Sequence, residues 1–129
     1  MVALSEFFVG YRKTALQAGE VLVSVHISKP LPRVARFFKI AKRRMDDISS
    51  VAVGIAIHHN GMARIAYGGV AATPVRVSEA ERELPSSLER AKRAVAAALA
   101  PISDHRASSA YRLAMAQSLL DKFAYEGGL

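Results

Sequence analysis

An Asn-Gly pair between two apolar runs restricts the fold more than any other feature of the chain. Residues 51–58, Val-Ala-Val-Gly-Ile-Ala-Ile-His, predict a β-strand. Residues 60–61 follow at once, and because Asn and Gly both tolerate positive φ, they predict a tight hairpin turn. Residues 62–71 then return as the second strand of the hairpin. The sequence therefore predicts an antiparallel sheet near the middle of the chain.

Two more strands are predicted upstream of the hairpin. Residues 21–27, Val-Leu-Val-Ser-Val-His-Ile, are rich in β-formers, and prolines at 30 and 32 follow them. Residues 34–42 form the other predicted strand. Within the hairpin, the Gly-Gly pair at 68–69 indicates a bulge or a close approach between two backbones.

Helical patterns dominate the second half of the chain. A short helix is predicted from Ser78 to about Pro85, and Ser86 with Glu89 matches a capping box that opens an alanine-rich helix to about residue 99. Residues 107–124 predict a long amphipathic helix, with Tyr111, Met115, Leu119 and Phe123 at roughly helical spacing and Leu113, Ala116 and Leu120 beside them. Strands that precede helices predict an α+β sandwich, in which an antiparallel sheet of three to four strands packs on about three helices.

Composition limits what the chain can hold. Its 129 residues, 51% hydrophobic and 22% charged, predict one folded domain over residues 1–129. There are no cysteines, which excludes disulfides, thiolate zinc sites and cysteine-ligated iron–sulfur clusters. His58 and His59 face opposite sides of a strand, so we expect no metal site. No apolar run reaches the roughly 18 residues of a membrane span, and no signal peptide is visible. We therefore expect a cytoplasmic protein that has no membrane partner.

Charged side chains are concentrated at the end of the strand predicted at 34–42. Residues 37–48 read Phe-Phe-Lys-Ile-Ala-Lys-Arg-Arg-Met-Asp-Asp-Ile. Such a density of opposite charge beside apolar residues suits a site that grips a charged ligand. The same residues could equally form surface ion pairs, each contributing about 0–1 kcal/mol.

Motifs of common autonomous enzymes are missing from the sequence. The glycines at 68–69 lack the Gly-x-Gly-x-x-Gly spacing of a phosphate-binding loop, and there is no Gly-x-Ser-x-Gly elbow. Ser103, Asp104 and His105 are consecutive, and we interpret them as caps of the following helix rather than as a catalytic triad.

Four blocks of the chain carry a resemblance to one known family. They are residues 7–20 (Phe-Phe-Val-Gly-Tyr-Arg-Lys-Thr-Ala-Leu-Gln-Ala-Gly-Glu), 21–27 with Lys29-Pro30, 37–48, and 103–123, which opens Ser-Asp-His-Arg-Ala-Ser-Ser-Ala-Tyr-Arg. With Tyr67-Gly68-Gly69-Val70-Ala71, they resemble the C-terminal subdomain of the flavin-binding unit of xanthine dehydrogenase, in the molybdenum hydroxylase and CO dehydrogenase flavoprotein family. The resemblance implies a small α+β sandwich of three or four strands and three helices.

The resemblance also implies a role in electron transfer and purine metabolism. In this family FAD carries electrons from an iron–sulfur cluster to NAD+ or another acceptor, and the substrate is oxidised at a molybdopterin cofactor on another domain or subunit. Most of the FAD lies in an upstream FAD-binding domain, which we expect this chain to lack. Its partners would be that domain and the iron–sulfur and molybdopterin domains or subunits. We expect the chain alone to be inactive and to bind FAD with micromolar affinity or worse.

Four residues are implied to lie at the flavin. Carried over by position, the counterparts of Leu22 and Lys39 touch FAD, an acidic residue at Asp46 lies near the isoalloxazine ring, and the arginine at Arg44 belongs to a charged network beside it. A lysine there would stabilise negative charge on the reduced ring, and Asp46 would oppose this. Met45 departs from the family, which often has an acid at its position.

Simpler interpretations of these residues remain open. Lys39 on a strand could point to solvent, and Leu22 could belong to the core. Two other functions also remain. Loss of the upstream domain would expose apolar surface along 4–11 and 22–27, which favours a self-associating assembly module and possible homo-oligomers. The net charge of +7 permits a nucleic-acid-binding module, but the cations are spread along the chain, so nucleic acid is the less favoured partner.

Overall fold

The computed structural model describes residues 1–43, 45 and 47–129, so Arg44 and Asp46 lie outside the described residues. In chain order the elements are α1 (Leu4–Phe7), β1 (Phe8–Gly10), β2 (Lys13–Thr14), β3 (Val34–Ile40), β4 (Val51–Ile57), β5 (Ala63–Gly68), β6 (Val75–Arg76), α2 (Ser78–Glu83), α3 (Leu88–Ala98) and α4 (Ser109–Tyr125). Strands β3 to β6 form a four-stranded antiparallel sheet in that order, and β1 pairs with β2 as a separate two-stranded sheet.

The hairpin predicted around residues 60–61 is confirmed. Strands β4 and β5 pair from Ala52 opposite Gly68 to Ile57 opposite Ala63. At the turn the His58 amide donates to the Met62 carbonyl, and the Gly61 amide donates to the His58 carbonyl. Gly61 has a φ of +81°, the left-handed conformation that glycine adopts without strain. Of the Asn-Gly pair, only the glycine adopts positive φ.

Alternation along the central strands places the core on one face of the sheet. On β4, Val51, Val53, Ile55 and Ile57 are buried, and β5 adds Ala63, Ile65 and Tyr67. The helices cover this face with Ala80, Ala91, Val95, Ala116, Leu120 and Phe123, among others. The other face carries small side chains at its centre. This arrangement confirms the predicted α+β sandwich of a four-stranded sheet and helices.

The prediction of a strand at residues 21–27 is wrong. None of these residues pairs with another strand of the described chain, and the apolar side chains are exposed, with Val23 at 88% and Ile27 at 77%. A high β-propensity produces a strand only where a neighbouring strand accepts its hydrogen bonds. The segment has the composition of a strand and no partner within the part of the chain that the structure describes.

Helix boundaries differ from the predictions by one or two residues. Helix α3 begins after Ser87, whose Oγ accepts from the Arg90 amide, so Ser87 and not Ser86 is the N-cap. Ser108 caps α4 by accepting from the Tyr111 amide. The buried stripe of α4 is Arg112, Ala116, Leu119, Leu120 and Phe123, whereas Tyr111 is 45% exposed. The amphipathic helix is confirmed, but its buried face begins with an arginine.

Candidate functional site

The segment that joins β3 to β4 carries most of the charges singled out in the sequence. We call residues 41–50 the charged loop. Strands β3 and β4 pair up to Ile40 opposite Val51, and the Ser50 amide donates to the Ile40 carbonyl at 2.7 Å. The loop is therefore closed at its base by the sheet, and Lys39 lies two residues before its first residue.

Lys39 contacts the far side of the charged loop. Its neighbour Phe38 points into the core, so alternation along β3 places Lys39 on the opposite face of the sheet. The Lys39 Nζ donates to the Asp47 carbonyl at 2.5 Å. This bond ties the strand to the loop and uses one of the three donors of the ammonium group.

Asp47 holds the charged loop in shape from within. Its carboxylate accepts from the Arg43 amide and from the Ile48 amide, both at 2.9 Å, and it lies 4.0 Å from the Arg43 guanidinium. The hydrogen bond from the Arg43 amide lowers the pKa of Asp47, and although partial burial opposes this, the Ile48 amide and the charges of Arg43 and Lys39 lower it further. Asp47 is therefore ionised at neutral pH.

Two cations connect the charged loop to the segment before α4. The Lys42 Nζ donates to the His105 carbonyl at 2.5 Å. Arg112, with 3% of its surface exposed, donates through Nη1 to the carbonyls of Ser50 at 2.5 Å and Gly69 at 2.7 Å, and through Nη2 to Asp104 at 2.7 Å. The end of the loop is thus held against the helix by a buried guanidinium.

Asp104 completes this contact on the helix side. It accepts from the amides of Arg106 and Ala107, and these bonds lower its pKa far below the usual range; partial burial acts the other way, and Arg112 adds to the lowering. Ser103 Oγ accepts from the Ser109 amide. Of residues 103–105, which were interpreted as helix caps, Ser103 therefore accepts from the amide of the first residue of α4. Among backbone amides, Asp104 accepts only from those that precede the helix, and the N-cap is Ser108.

A cleft opens beside the charged loop. It has a volume of about 630 Å³, and its lining includes Ile48, Ser49, Arg12, Arg106, Arg112 and Asp104. Arg112 is buried and already paired with Asp104, so Arg12 and Arg106 give the lining its net positive charge. The Arg12 guanidinium lies 5.5 Å from the centre of the Tyr11 ring. Such a surface can accept an anionic or an electron-rich aromatic group.

The structure describes two of the four residues predicted to lie at the flavin, and it places them far apart in character: one beside the charged loop and one on an unpaired segment. Lys39 lies at the base of the charged loop, as described above. Leu22 lies on the unpaired segment 21–27 and is 58% exposed, and that segment contributes no residue to the described lining of the cleft. Arg44 and Asp46 lie outside the described residues, so their positions stay predictions. Flavin contact by all four is likewise still a prediction.

Asp47 and Arg112 are functional candidates that sequence reasoning missed. In the sequence, Asp47 is one member of a run of charged residues. Arg112 had a detectable signal, because it precedes Ala116, Leu119 and Phe123 at helical spacing and so falls on the apolar face. A cation on a buried face needs acceptors, and here they are the two carbonyls and Asp104.

Two other kinds of site are absent from the described part of the chain. Across residues 1–43, 45 and 47–129, no three His, Asp or Glu side chains gather in a way that could hold a metal ion. None of the described helices combines the length and apolar character needed to cross a membrane.

Comparison with known proteins gives one family throughout. Residues 36–126 match the model of the CO dehydrogenase flavoprotein C-terminal domain. The chain is 33% identical over 140 aligned positions to the putative xanthine dehydrogenase FAD-binding subunit XdhB of Escherichia coli K12, an alignment that covers 97% of this chain and 47% of the relative. It is 39% identical over 88 positions to the xanthine dehydrogenase/oxidase of Gallus gallus, covering 61% of this chain and 6% of that protein.

Solved structures agree with this comparison. A crystal structure of a Cu,Mo-CO dehydrogenase in its cyanide-inactivated form superposes with a TM-score of 0.81 and 29% identity, over 94% of this chain and 46% of that one. Quinoline 2-oxidoreductase from Pseudomonas putida 86 gives a TM-score of 0.77 and 29% identity, over 92% and 44%. The chain therefore spans less than half the length of these relatives.

Proposed function

The chain belongs to the CO dehydrogenase flavoprotein C-terminal domain family, and from this we propose that it covers part of the FAD in a xanthine dehydrogenase-like oxidoreductase. The observation that carries the proposal is the match over residues 36–126, which includes Lys39 and the whole charged loop. Electrons would pass from an iron–sulfur cluster through FAD to NAD+ or another acceptor. The relative from Escherichia coli is itself named an FAD-binding subunit.

The residues present suit one side of a flavin site. Lys39 keeps two ammonium donors beyond the one given to Asp47 among the described contacts, and these can donate to the electron-rich edge of a ring. Met45 and Ile48 are 75% and 59% exposed on the charged loop and offer apolar cover. The sequence has no glycine-rich phosphate loop, so the pyrophosphate would be held elsewhere. FAD, when bound, supplies the group that accepts and passes on electrons.

We assign the named site residues as part of this proposal. Lys39 and Leu22 would contact FAD, Asp46 would lie near the ring, and Arg44 would belong to the charged surroundings. Residues 1–129 would act as one C-terminal subdomain beside an FAD-binding domain and iron–sulfur and molybdopterin partners. The isolated chain would be inactive, because these groups lie on other domains or subunits. A cytoplasmic location remains a prediction.

Titration of the chain with FAD, followed by flavin fluorescence, tests the proposal. We expect micromolar or weaker affinity for the unchanged chain. Lys39→Met removes a charge-assisted hydrogen bond and should weaken binding by about tenfold, or about 1.4 kcal/mol. Arg36→Met is the matched control, because Arg36 lies on the same strand but alternates to the other face. Equal weakening by both substitutions, or sub-micromolar binding by the unchanged chain, would contradict the proposal.

Self-association is the second candidate, and the segment 21–27 favours it. Its exposed valines and isoleucine form an apolar, unpaired stretch, which a second copy or a partner domain could cover. Sedimentation velocity over a hundredfold range of concentration separates these possibilities. A constant monomer counts against self-association and leaves the partner domain as the expected cover.

A further inference from the structure

We infer that Arg112 is a positioning residue, which fixes the charged loop and through it Lys39. The importance of this for flavin binding rests on the proposed function, whereas the positioning itself does not. Arg112 belongs to helix α4 and is separated from the loop by more than 60 residues in the sequence. Its side chain nevertheless reaches the last residue of the loop.

The contacts of Arg112 join three separate parts of the fold. The Ser50 carbonyl ends the charged loop, the Gly69 carbonyl follows β5, and Asp104 precedes α4. One planar guanidinium holds all three acceptors, which a lysine ammonium of different geometry cannot reproduce. The Nε of Arg112 is buried and has no hydrogen-bond partner among the described residues. The orientation of the guanidinium is therefore set by the two Nη groups and their acceptors.

Burial distinguishes this anchor from the other two. Lys39 and Lys42 also donate to loop or neighbouring carbonyls, but both are exposed, so water competes for those bonds. The bond from Arg112 to Ser50 is buried, and there water cannot replace the Arg112 donor that the Ser50 carbonyl would lose. Arg112 is thus the anchor that should decide where the loop ends.

Ser50 is linked to Lys39 through the hydrogen bonds of the sheet. The Ser50 amide donates to the Ile40 carbonyl, and Ile40 pairs with Val51. Lys39 is the next residue on β3, opposite Ala52. A shift of Ser50 would therefore move the strand end that carries Lys39 and the Asp47 carbonyl that Lys39 contacts.

Amide hydrogen exchange tests the inference on the intact chain. The amides of Arg43, Ile48 and Ser50 are all hydrogen-bonded and report on the loop directly. In Arg112→Lys we expect their exchange to accelerate by about tenfold or more through local opening. The control is Glu81→Gln, which weakens the ion pair of the buried Glu81 with the half-exposed Arg76, away from the loop. It should leave these three amides within about threefold of the unchanged chain.

Asp104→Asn serves as a second variant if Arg112→Lys does not fold. The asparagine Oδ1 can still accept from the amides of Arg106 and Ala107, while the charge that orients Arg112 is lost. Faster exchange at the three loop amides is expected again. The inference is overturned if the folded variants accelerate the loop no more than Glu81→Gln does, since Arg112 would then support overall stability only.

Flavin titration of the same variants separates this inference from the proposed function. If both hold, Arg112→Lys weakens FAD binding by about fivefold, and by less than about twofold when Lys39→Met is already present, because both changes act at one contact. Faster loop exchange with unchanged FAD affinity in Arg112→Lys and in Lys39→Met supports positioning and refutes the flavin contact. Weaker FAD binding without any change of loop exchange overturns positioning.

Discussion

Gly69 lies where a single methyl group should disturb both the fold and the charged loop. It has a φ of +79°, and a Cβ at this position would lie 2.7 Å from the Ser50 carbonyl oxygen and 3.3 Å from the Ser50 carbonyl carbon. Both contacts are with backbone, which cannot move aside as a flexible side chain can. The Ser50 carbonyl also accepts from Arg112, as does the carbonyl of Gly69 itself.

The expected cost of Gly69→Ala has two parts. A left-handed backbone conformation costs an alanine about 1 kcal/mol. Forcing the methyl group against the Ser50 carbonyl adds about 2 kcal/mol, as for overpacking of a well-packed interior. We expect the free energy of unfolding to fall by about 3 kcal/mol, which corresponds to a loss of about 12 °C in Tm for a chain of this size.

Gly61→Ala is the matched control for this prediction. Gly61 has almost the same φ, +81°, but a Cβ there would have nothing within 4 Å. It should lose only the backbone part, about 1 kcal/mol or about 4 °C. Because the chain has no tryptophan, urea and thermal unfolding are best followed by circular dichroism at 222 nm. Equal losses in the two variants would refute the close-contact reasoning.

Two buried polar side chains give further predictions. Tyr67 donates from its hydroxyl to the Ala116 carbonyl at 2.7 Å, so Tyr67→Phe should cost about 1 kcal/mol in urea unfolding at pH 7. Burial raises the pKa of Tyr67, so the free energy of unfolding of the unchanged protein should fall above about pH 10, and that of the variant should fall less. An equal fall with pH in the two proteins would contradict this. Glu81 accepts from Arg76 and from the Ile65 amide, and Glu81→Gln should cost about 2 kcal/mol at pH 7. Burial alone would raise the pKa of Glu81, but these partners outweigh it and lower the pKa. The difference in free energy of unfolding between the unchanged protein and the variant should therefore shrink as pH falls below about 4.5. A difference that stays constant with pH would contradict this.

The central hairpin and the helices were predictable because their signals are local. The Asn-Gly pair sets the turn, and the apolar pattern of residues 51–57 needs no distant information. The Gly-Gly pair correctly indicated a close backbone approach, which the structure places between Gly69 and Ser50. The prediction of a strand at residues 21–27 was wrong for the opposite reason. Strand formation there depends on a partner strand, and propensity cannot say whether one exists.

The candidate site was predictable only in part. The charge density of residues 37–48 and the family resemblance together pointed to Lys39, which the fold places at the base of the charged loop. Besides the carboxylates of Asp47 and Asp104, the loop is organised by backbone carbonyls, of Asp47, Ser50 and Gly69, and these leave no trace in a sequence. Arg112 lies 62 positions from Ser50, so their contact depends on the packing of α4 against the sheet.

The most direct test of the central claim is a chemical-shift map of FAD on the isotopically labelled chain. The account predicts a fast-exchange titration with micromolar or weaker affinity, in which the largest shifts fall on Lys39, Asp47 and Ile48 and need about tenfold more FAD in Lys39→Met. Shifts confined to α3 or to the 58–62 turn, or no shifts at all with millimolar FAD present, would contradict the claim that this part of the chain faces the flavin.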